Sequence, residues 1–600
     1  MSVQKLPSRT VGDFTTNTQI VRLSIVAAIL GVLCAFVAVL LIKSIGFITN
    51  VSFYHRISFV FTSPTNNHLG WWVVLIPAFG GLMIGLIARY GSEKIRGHGI
   101  PEAIEAMLIN ESKVQPKVAI WKPISAALSI GTGGPFGAEG PIIMTGGSVG
   151  SLLAQFLHFS PIERRIMLVC GAAGGMSATF AAPISSVLFA VELLMFEFRP
   201  RSLVPIALAS AVADVIRISM LGSGPIFPMP QLQRVPLALI VSALVIGLVG
   251  SVLAVLLTKA IYGMEDMFHK LPIHWMWWPA LGGLVVGIGG YISPRALGVG
   301  YESIAALVNN QFTLAMMVGL LVVKTVIWVV SLSSGTSGGI LAPILIIGGS
   351  LGALVGHFVY PSQAGVFALL GMSAIFAGVT RTPLTSIMFP LELTHNQGAL
   401  LPLLLTSAIA TGVSALVLPR SILTEKIARR GLHLTREYAT DPLQMHLVKE
   451  VMVRPMATVL HTASLQEVAG QLIDGPDTFI SVIDEQGGWV GMVDQLRILR
   501  AFVNPDVAVL PISAYVETKV RILFTDTAKN AMELMMQHDA AWCMVVDEDQ
   551  HPLGGVTIAS LMQLRRTQTA HETQRSRVFA LRRKLAPKLL YGETEVDSSS

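Results

Sequence analysis

Glu139 is the one charged residue between Lys122 and Glu163. It sits in "GTGGPFGAEGP", Gly131 to Pro141, among five glycines and two prolines. Proline suits the first turn of a helix, so the stretch predicts a chain break with a helix opening beside Glu139. "GTSGGILAP" (Gly335 to Pro343) has the same form, a glycine run ending in proline. A helix start presents unpaired N–H groups and a partial positive charge, and glycines let an ion approach those donors closely. Several starts converging in apolar surroundings would bind a small anion without needing a full positive charge. A cation would want several acids or oriented carbonyls, and the two breaks hold one acid. Glu139 is itself an anion at a helix start. It can occupy the site in place of a substrate and, once protonated, move aside, which makes it a gate, a proton carrier or both. The alternative is a structural acid capping a helix.

The elements that must position this carboxylate are membrane helices. Of the 600 residues, 52% are hydrophobic and 13% charged, against roughly 25% charged in soluble domains. Leu23 to Ile42, Trp71 to Ala88 and Val235 to Thr258 carry no charge, and Thr325 to Thr380 carries none beyond His357. A spanning helix needs about 20 such residues, and an ionisable group inside one is a functional candidate by default. The first apolar run begins at Leu23, long enough to span, and reads as a retained helix with no cleavable signal before it. Lys5, Arg9 and Arg22 precede it, which predicts a cytoplasmic N-terminus. Cys34, Cys170 and Cys543 match no disulfide or zinc spacing. The formal charge of +6 concentrates in a tail, Arg565 to Lys588; beside a membrane domain this predicts attraction to anionic lipid rather than to nucleic acid.

The apolar part repeats itself. "GGSVGSLLA" (Gly146 to Ala154) returns as "GGSLGALVG" (Gly348 to Gly356), "GHGIPEAIEA" (Gly97 to Ala106) as "GVGYESIAAL" (Gly298 to Leu307), and "APISSVLFAVELL" (Ala182 to Leu194) as "TPLTSIMFPLELT" (Thr382 to Thr394), at offsets of 202, 201 and 200. Small residues at helix contacts explain one pair, but not a shared order. Internal repeats with interrupted helices are a mark of transporters, whose sites lie where the breaks meet near the midplane. Near residue 420 the composition changes to charged, alternating strands such as "TFISVID" and "WCMVVDED". The sequence divides into 1–22, 23–420 with repeats at about 72–215 and 276–420, a linker 421–444, two soluble α/β units at 445–508 and 509–567, and a tail 568–600.

These motifs resemble the CLC family of chloride channels and chloride/proton antiporters. "GHGIPE" is similar to the family's GSGIP, "GAEGP" to GREGP and "GGILAP" to GGIFAP, over about 25–420. The tandem unit at 445–567 resembles a CBS domain pair. The resemblance implies a polytopic all-α membrane domain with inverted repeats and broken helices, followed by a soluble α/β CBS pair. It implies a homodimer with one anion pathway per subunit, and exchange of chloride or a similar anion for protons. The anion would contact His98, Gly99 and Ile100, the flanks Gly137 and Gly140 of the gating Glu139, and Gly339, Ile340 and Leu341. Lys122 matches a basic residue near the pathway; its alternative is an interfacial lysine snorkelling at a helix end.

Three positions depart from the family pattern. His98 stands for the serine that contacts the anion; its imidazole N–H could still donate, or the ring could fill space. Leu423 stands for the pathway tyrosine and has no hydroxyl. Leu193 stands for the inner proton-transfer glutamate, which leaves Glu192 or Glu197 as inner relay, although the match of Glu192 with Glu392 in the second repeat suggests a shared structural role. A passive, proton-gated anion channel is therefore the alternative, and a CBS-regulated divalent-cation transporter a remoter one. No H-E-x-x-H, P-loop or G-x-S-x-G points to an enzyme, and no metal or obligate cofactor is implied. Adenine nucleotide at the CBS pair is doubtful: the Thr/Ser-x-x-Asp segment that holds ribose is Asp494 and Arg497 at the corresponding places in the first unit, and Thr557 with Ser560 in the second. Support of a dimer is the other reading.

Overall fold

The computed structural model describes residues 18–432, 442–453, 458–474, 479–494, 511–516, 520–549 and 551–564. The tail 568–600, Arg497 and most of 1–22 lie outside them. The chain folds as two units, Phe14–Tyr438 and the residues from Ala439 onward.

The first unit is helical and twofold repeated. Its first half holds α1 (Gln19–Tyr54), α2 (Leu75–Tyr90), α3 (Ile100–Leu108), α4 (Pro116–Gly131), α5 (Glu139–Phe156), α6 (Pro161–Phe180), α7 (Pro183–Phe189), which continues as a π-helical turn over Ala190–Met195, and α8 (Pro200–Leu221). The second half repeats the order as α9 (Leu237–His269), α10 (Trp278–Ile292), α11 (Tyr301–Val308), α12 (Leu314–Ser333), α13 (Leu341–Val359), α14 (Ala364–Thr380), α15 (Pro383–Thr394) and α16 (Leu400–Val417). Among the described residues, eight helical stretches are long and apolar enough to cross a bilayer, so the chain is a multi-pass membrane protein. The short α3, α7 and α11 are the interrupted pieces.

Local sequence sets the helix ends. Ala181 and Arg381 adopt left-handed backbone and end α6 and α14. Pro183 and Pro383 then open α7 and α15 where no N–H is needed. Side-chain carboxylates from the opposite half finish those two openings. Glu192 accepts from the N–H groups of Leu384 (3.0 Å) and Thr385 (2.8 Å) and from the Thr385 hydroxyl (2.6 Å). Glu392 accepts from the N–H groups of Ile184 (2.9 Å) and Ser185 (2.7 Å) and from the Ser185 hydroxyl. Each acid thus neutralises the partial positive end of a helix in the other repeat.

The core forms where glycine lets helices touch. A Cβ on Gly171 of α6 would strike the Gly146 carbonyl of α5, and one on Gly371 of α14 would strike the Gly348 carbonyl of α13. With lipid outside, such close packing replaces the hydrophobic drive available in water. After α16 the chain turns into α17 (Ile422–Arg429), whose Ile422, Leu423 and Ile427 are buried. The first part of the expected 421–444 linker is therefore an amphipathic helix of the membrane unit.

The soluble unit holds two sheets of one topology. In the first, β1 (Thr458–Leu460) runs parallel to β2 (Phe479–Ile483), which pairs antiparallel with β3 (Trp489–Asp494); in the second, β4 (Arg521–Leu523), β5 (Trp542–Val546) and β6 (Pro552–Thr557) do the same. A helix, Leu465–Asp474 or Ala528–Gln537, makes each parallel crossover. The repeats exchange their opening segment. Leu447 bridges to Thr527 and Val453 to Gly555, and Val448 is buried with Val520, Ile522 and Val556. Residues assigned to the first unit at 445 onward therefore complete the second.

Gly171→Ala and Gly371→Ala should each lower stability by roughly 1–3 kcal/mol, because the Cβ meets backbone that cannot rotate away; thermal unfolding in detergent checks this. Glu192→Gln and Glu392→Gln should destabilise alike, by about 1 kcal/mol for a lost charged acceptor. A clear inequality between the two would separate their roles.

Candidate functional site

The two glycine breaks meet. Gly137 N–H donates to the Gly339 carbonyl (3.1 Å) and Gly339 N–H to the Gly137 carbonyl (2.8 Å), a two-way bridge just before α5 and α13. Only glycine fits here. A Cβ on Gly339 would lie 2.7 Å from Glu139 Oε2 and 2.9 Å from Gly140 N, and one on Gly137 would overlap the Glu139 carboxylate. A third start closes on the same point. Gly99, at φ 89°, precedes α3; a Cβ there would stand 2.8 Å from the Gly140 carbonyl, while one on Gly140 would strike the His98 carbonyl. His98, Gly99, Ile100, Gly137, Gly140, Gly339, Ile340 and Leu341 are thus brought together. Ser125 of α4 donates to Ser337 (3.0 Å) and fixes the second break from the side.

Glu139 lies over the glycine bridge, fully buried. Its carboxylate faces the N–H groups of its own residue and of Ala342, yet neither oxygen makes a well-directed hydrogen bond among the described residues. Lys324 acts on it electrostatically from α12. His98, just before α3, is 4% exposed, and its Nδ1 has no hydrogen-bond partner among the described residues.

Lys122 and Lys324 mirror one another at an offset of 202. Lys122 Nζ donates to the carbonyls of Ile95 (2.8 Å) and Gly97 (2.7 Å), and Lys324 Nζ to those of Ala296 (2.9 Å) and Gly298 (2.8 Å). Both are fully buried, so Lys122 does not reach for an interface. Each ammonium clamps the loop that feeds a short helix, α3 or α11, and leaves a positive charge close behind it. Lys324 was not singled out in the sequence, though the repeat spacing carried from Lys122 points straight to it.

A cavity of about 580 Å³ opens beside Gly97, with Lys94, Arg96, Lys113, Lys426, Arg429 and Arg430 among its walls. Glu102 organises it. One oxygen accepts from Gly99 N–H (3.0 Å), the other from Lys426 (3.0 Å) and Arg430 (3.1 Å). This ties α17 to the start of α3. Leu423 is fully buried on α17, and the Tyr262 hydroxyl donates to the neighbouring Ile422 carbonyl. Glu102 and Lys426 also went unnoticed in the sequence; "IPE" places an acid at the third helical position, a capping signal.

The two acids considered as inner relays have other company. The Glu192 oxygens lie on the start of α15, as described above. Glu197 accepts from Ser202 (2.9 Å) and pairs with Arg201 (3.5 Å) and Arg199 (3.9 Å). Leu193 is buried among apolar side chains. Among the described residues, no group of three or more His, Cys, Asp or Glu side chains could hold a metal ion. The site is therefore a convergence of backbone donors and buried cations around one carboxylate, which suits an exchangeable anion.

Comparison with known proteins agrees with this geometry. The family described as voltage gated chloride channel matches residues 80–415, and that described as CBS domain matches 448–504. A chloride channel protein described as ClcB-like, from Ralstonia nicotianae, is 30% identical over 352 residues, 57% of this chain and 82% of its own. The H(+)/Cl(-) exchange transporter ClcA of Klebsiella pneumoniae is 30% identical over 408 residues, 64% of this chain and 84% of its own. Among solved structures, a slow cyanobacterial Cl-/H+ antiporter superimposes with TM-score 0.59 at 24% identity, over 69% of this chain and 99% of its own. A eukaryotic CLC transporter does so with TM-score 0.58 at 16% identity, over 90% and 98%; both share the fold. With its two glycine breaks, its repeated helices and its CBS-type soluble unit, this chain belongs to the voltage-gated chloride channel family.

Proposed function

We propose that the membrane unit exchanges chloride or a similar small anion for protons, with Glu139 as gate and outward proton acceptor. The observation that carries this is the Glu139 carboxylate lying over the Gly137–Gly339 bridge, facing helix-start N–H groups: a tethered anion where a free one would bind. The exchange activity named for the Klebsiella pneumoniae relative supports the same reading. Deprotonated, Glu139 competes with the anion for those donors; protonated, it loses that attraction and yields the place. The amides of Ile340 and Leu341 and the unpartnered His98 ring nitrogen supply donors to the anion, and Leu423 contributes packing where a hydroxyl would have helped. Lys122 and Lys324 add a fixed positive field at short range.

A second reading, a proton-gated passive channel, is favoured by the inner side. Leu193 carries no proton, Glu192 is engaged at a helix start, and Glu197 is ion-paired. We assign the protein to a bacterial plasma membrane as a homodimer with cytoplasmic termini; the basic N-terminal residues and the bacterial relatives support this. For the soluble unit we favour dimer support over nucleotide binding. Thr557 and Ser560 satisfy each other, N–H to hydroxyl at 3.1 Å in both directions, where a ribose-binding segment would offer a carboxylate.

Liposomes holding the purified protein should take up protons in a fixed ratio to chloride when a chloride gradient is imposed, and Glu139→Gln should abolish proton movement while chloride flux persists. Chloride flux without proton movement in the unaltered protein would leave the channel reading. Calorimetry of the full-length protein with ATP, ADP and AMP should give no binding heat; a saturable signal would restore nucleotide regulation.

A further inference from the structure

The aromatic side chain at the start of α11 has an unexplained polar end. Tyr301 Oη is buried and has no hydrogen-bond partner among the described residues. A buried hydroxyl left unpaired is costly and rare in native structures. Its ring is held on three sides: stacked on Phe61 (5.8 Å between centroids) and edge-on to Phe180 (6.2 Å) and Phe227 (5.7 Å). The hydroxyl cannot swing to another partner without breaking that cluster.

The hydroxyl lies within electrostatic reach of the gate: Tyr301 and Glu139 interact through charge, and the Glu139 oxygens are likewise buried without a hydrogen-bond partner among the described residues. Lys324 acts on Glu139 electrostatically, and a Cβ on Gly300, the residue before Tyr301, would stand 3.6 Å from its ammonium. Tyr301 also has a defined place in the repeat. It lies 201 residues after Ile100, so α11 brings Tyr301 toward the site from the second half as α3 brings Ile100 from the first. A buried donor and a buried cation are therefore both coupled electrostatically to the carboxylate that an anion would replace.

We propose that the Tyr301 hydroxyl is an anion donor of this transporter, binding chloride in the place the Glu139 carboxylate vacates and supplying the phenol that Leu423 lacks. The proposal rests on the anion-transport reading. Fluoride, chloride and nitrate would all accept such a bond, and a directed O–H favours the acceptor with the highest charge density.

The test uses the full-length protein with Glu139→Ala, which opens the position, and chloride titrated by calorimetry. Adding Tyr301→Phe, which removes one oxygen and keeps the ring in its cluster, should weaken chloride binding roughly tenfold or more, the size of a hydrogen bond to a charged acceptor. Should the double variant not fold, 3-fluorotyrosine at position 301 in the Glu139→Ala protein keeps the ring and strengthens the donor, and should tighten chloride binding. Affinity within twofold of Glu139→Ala for Tyr301→Phe, or no tightening with the fluorinated ring, overturns the proposal. Unaltered protein in liposomes serves as the reference: if it releases no chloride, the anion reading itself is lost. If it releases chloride while position 301 has no effect on affinity, only the role of Tyr301 is lost.

Discussion

A polypeptide that breaks its helices inside an apolar unit must find partners for every N–H and C=O the break exposes, because no water is there to serve. The backbone bridge between Gly137 and Gly339 is how this chain meets that demand, and the rest of the site follows from it. The bridge consumes one donor and one acceptor from each break. It leaves the next N–H groups, at the starts of α5 and α13, pointing into a shared space. Any side chain at either glycine would fill that space and collide with the Glu139 carboxylate, so both positions require glycine.

The same economy governs the ionisable groups. Among the described residues, Lys122 and Lys324 are buried without acidic partners at hydrogen-bond distance, yet each has two carbonyls to donate to. Glu192 and Glu392 are placed on helix starts of opposite repeats. A buried charge held by oriented backbone dipoles keeps its field, whereas one held by an opposite charge loses most of it at a distance. The ion pairs of Glu102 with Lys426 and Arg430 stand instead at the cavity wall where α17 meets α3. The two arrangements divide the work: lysines held by carbonyls stand behind the short helices α3 and α11, and paired charge joins α17 to α3.

Much of this was legible in the sequence. The repeat, the two breaks, the position of Glu139 and the tandem soluble units follow from spacing and composition. Glu192 and Glu392, matched by the repeat, do share one structural task. What was not legible has physical causes. Lys324 stands at the edge of a long uncharged run and reads as its boundary; burial, which the sequence does not display, is what makes it notable. The exchange of Leu447 and Val453 into the second sheet depends on which strand edge is free after folding, a tertiary matter. The helix α17 begins where apolar composition ends, so composition alone marks the end of the unit too early, though the apolar residues of α17 recur at helical spacing. Tyr301 looks like an ordinary aromatic residue until its hydroxyl is found without a partner.

The crossed carboxylates have a consequence in time. Glu192 is synthesised 192 residues before Leu384, the first donor it meets, an interval of roughly 10–40 s at ordinary rates of chain elongation. Until then α7 lacks the acid that closes its own start, since Glu392 comes later still, and Glu192 lacks the α15 donors it will cap. The first repeat therefore waits, inserted but unfinished, for the second. Each half thus closes a helix start in the other, and the interlock ties the duplicated segments into one fold.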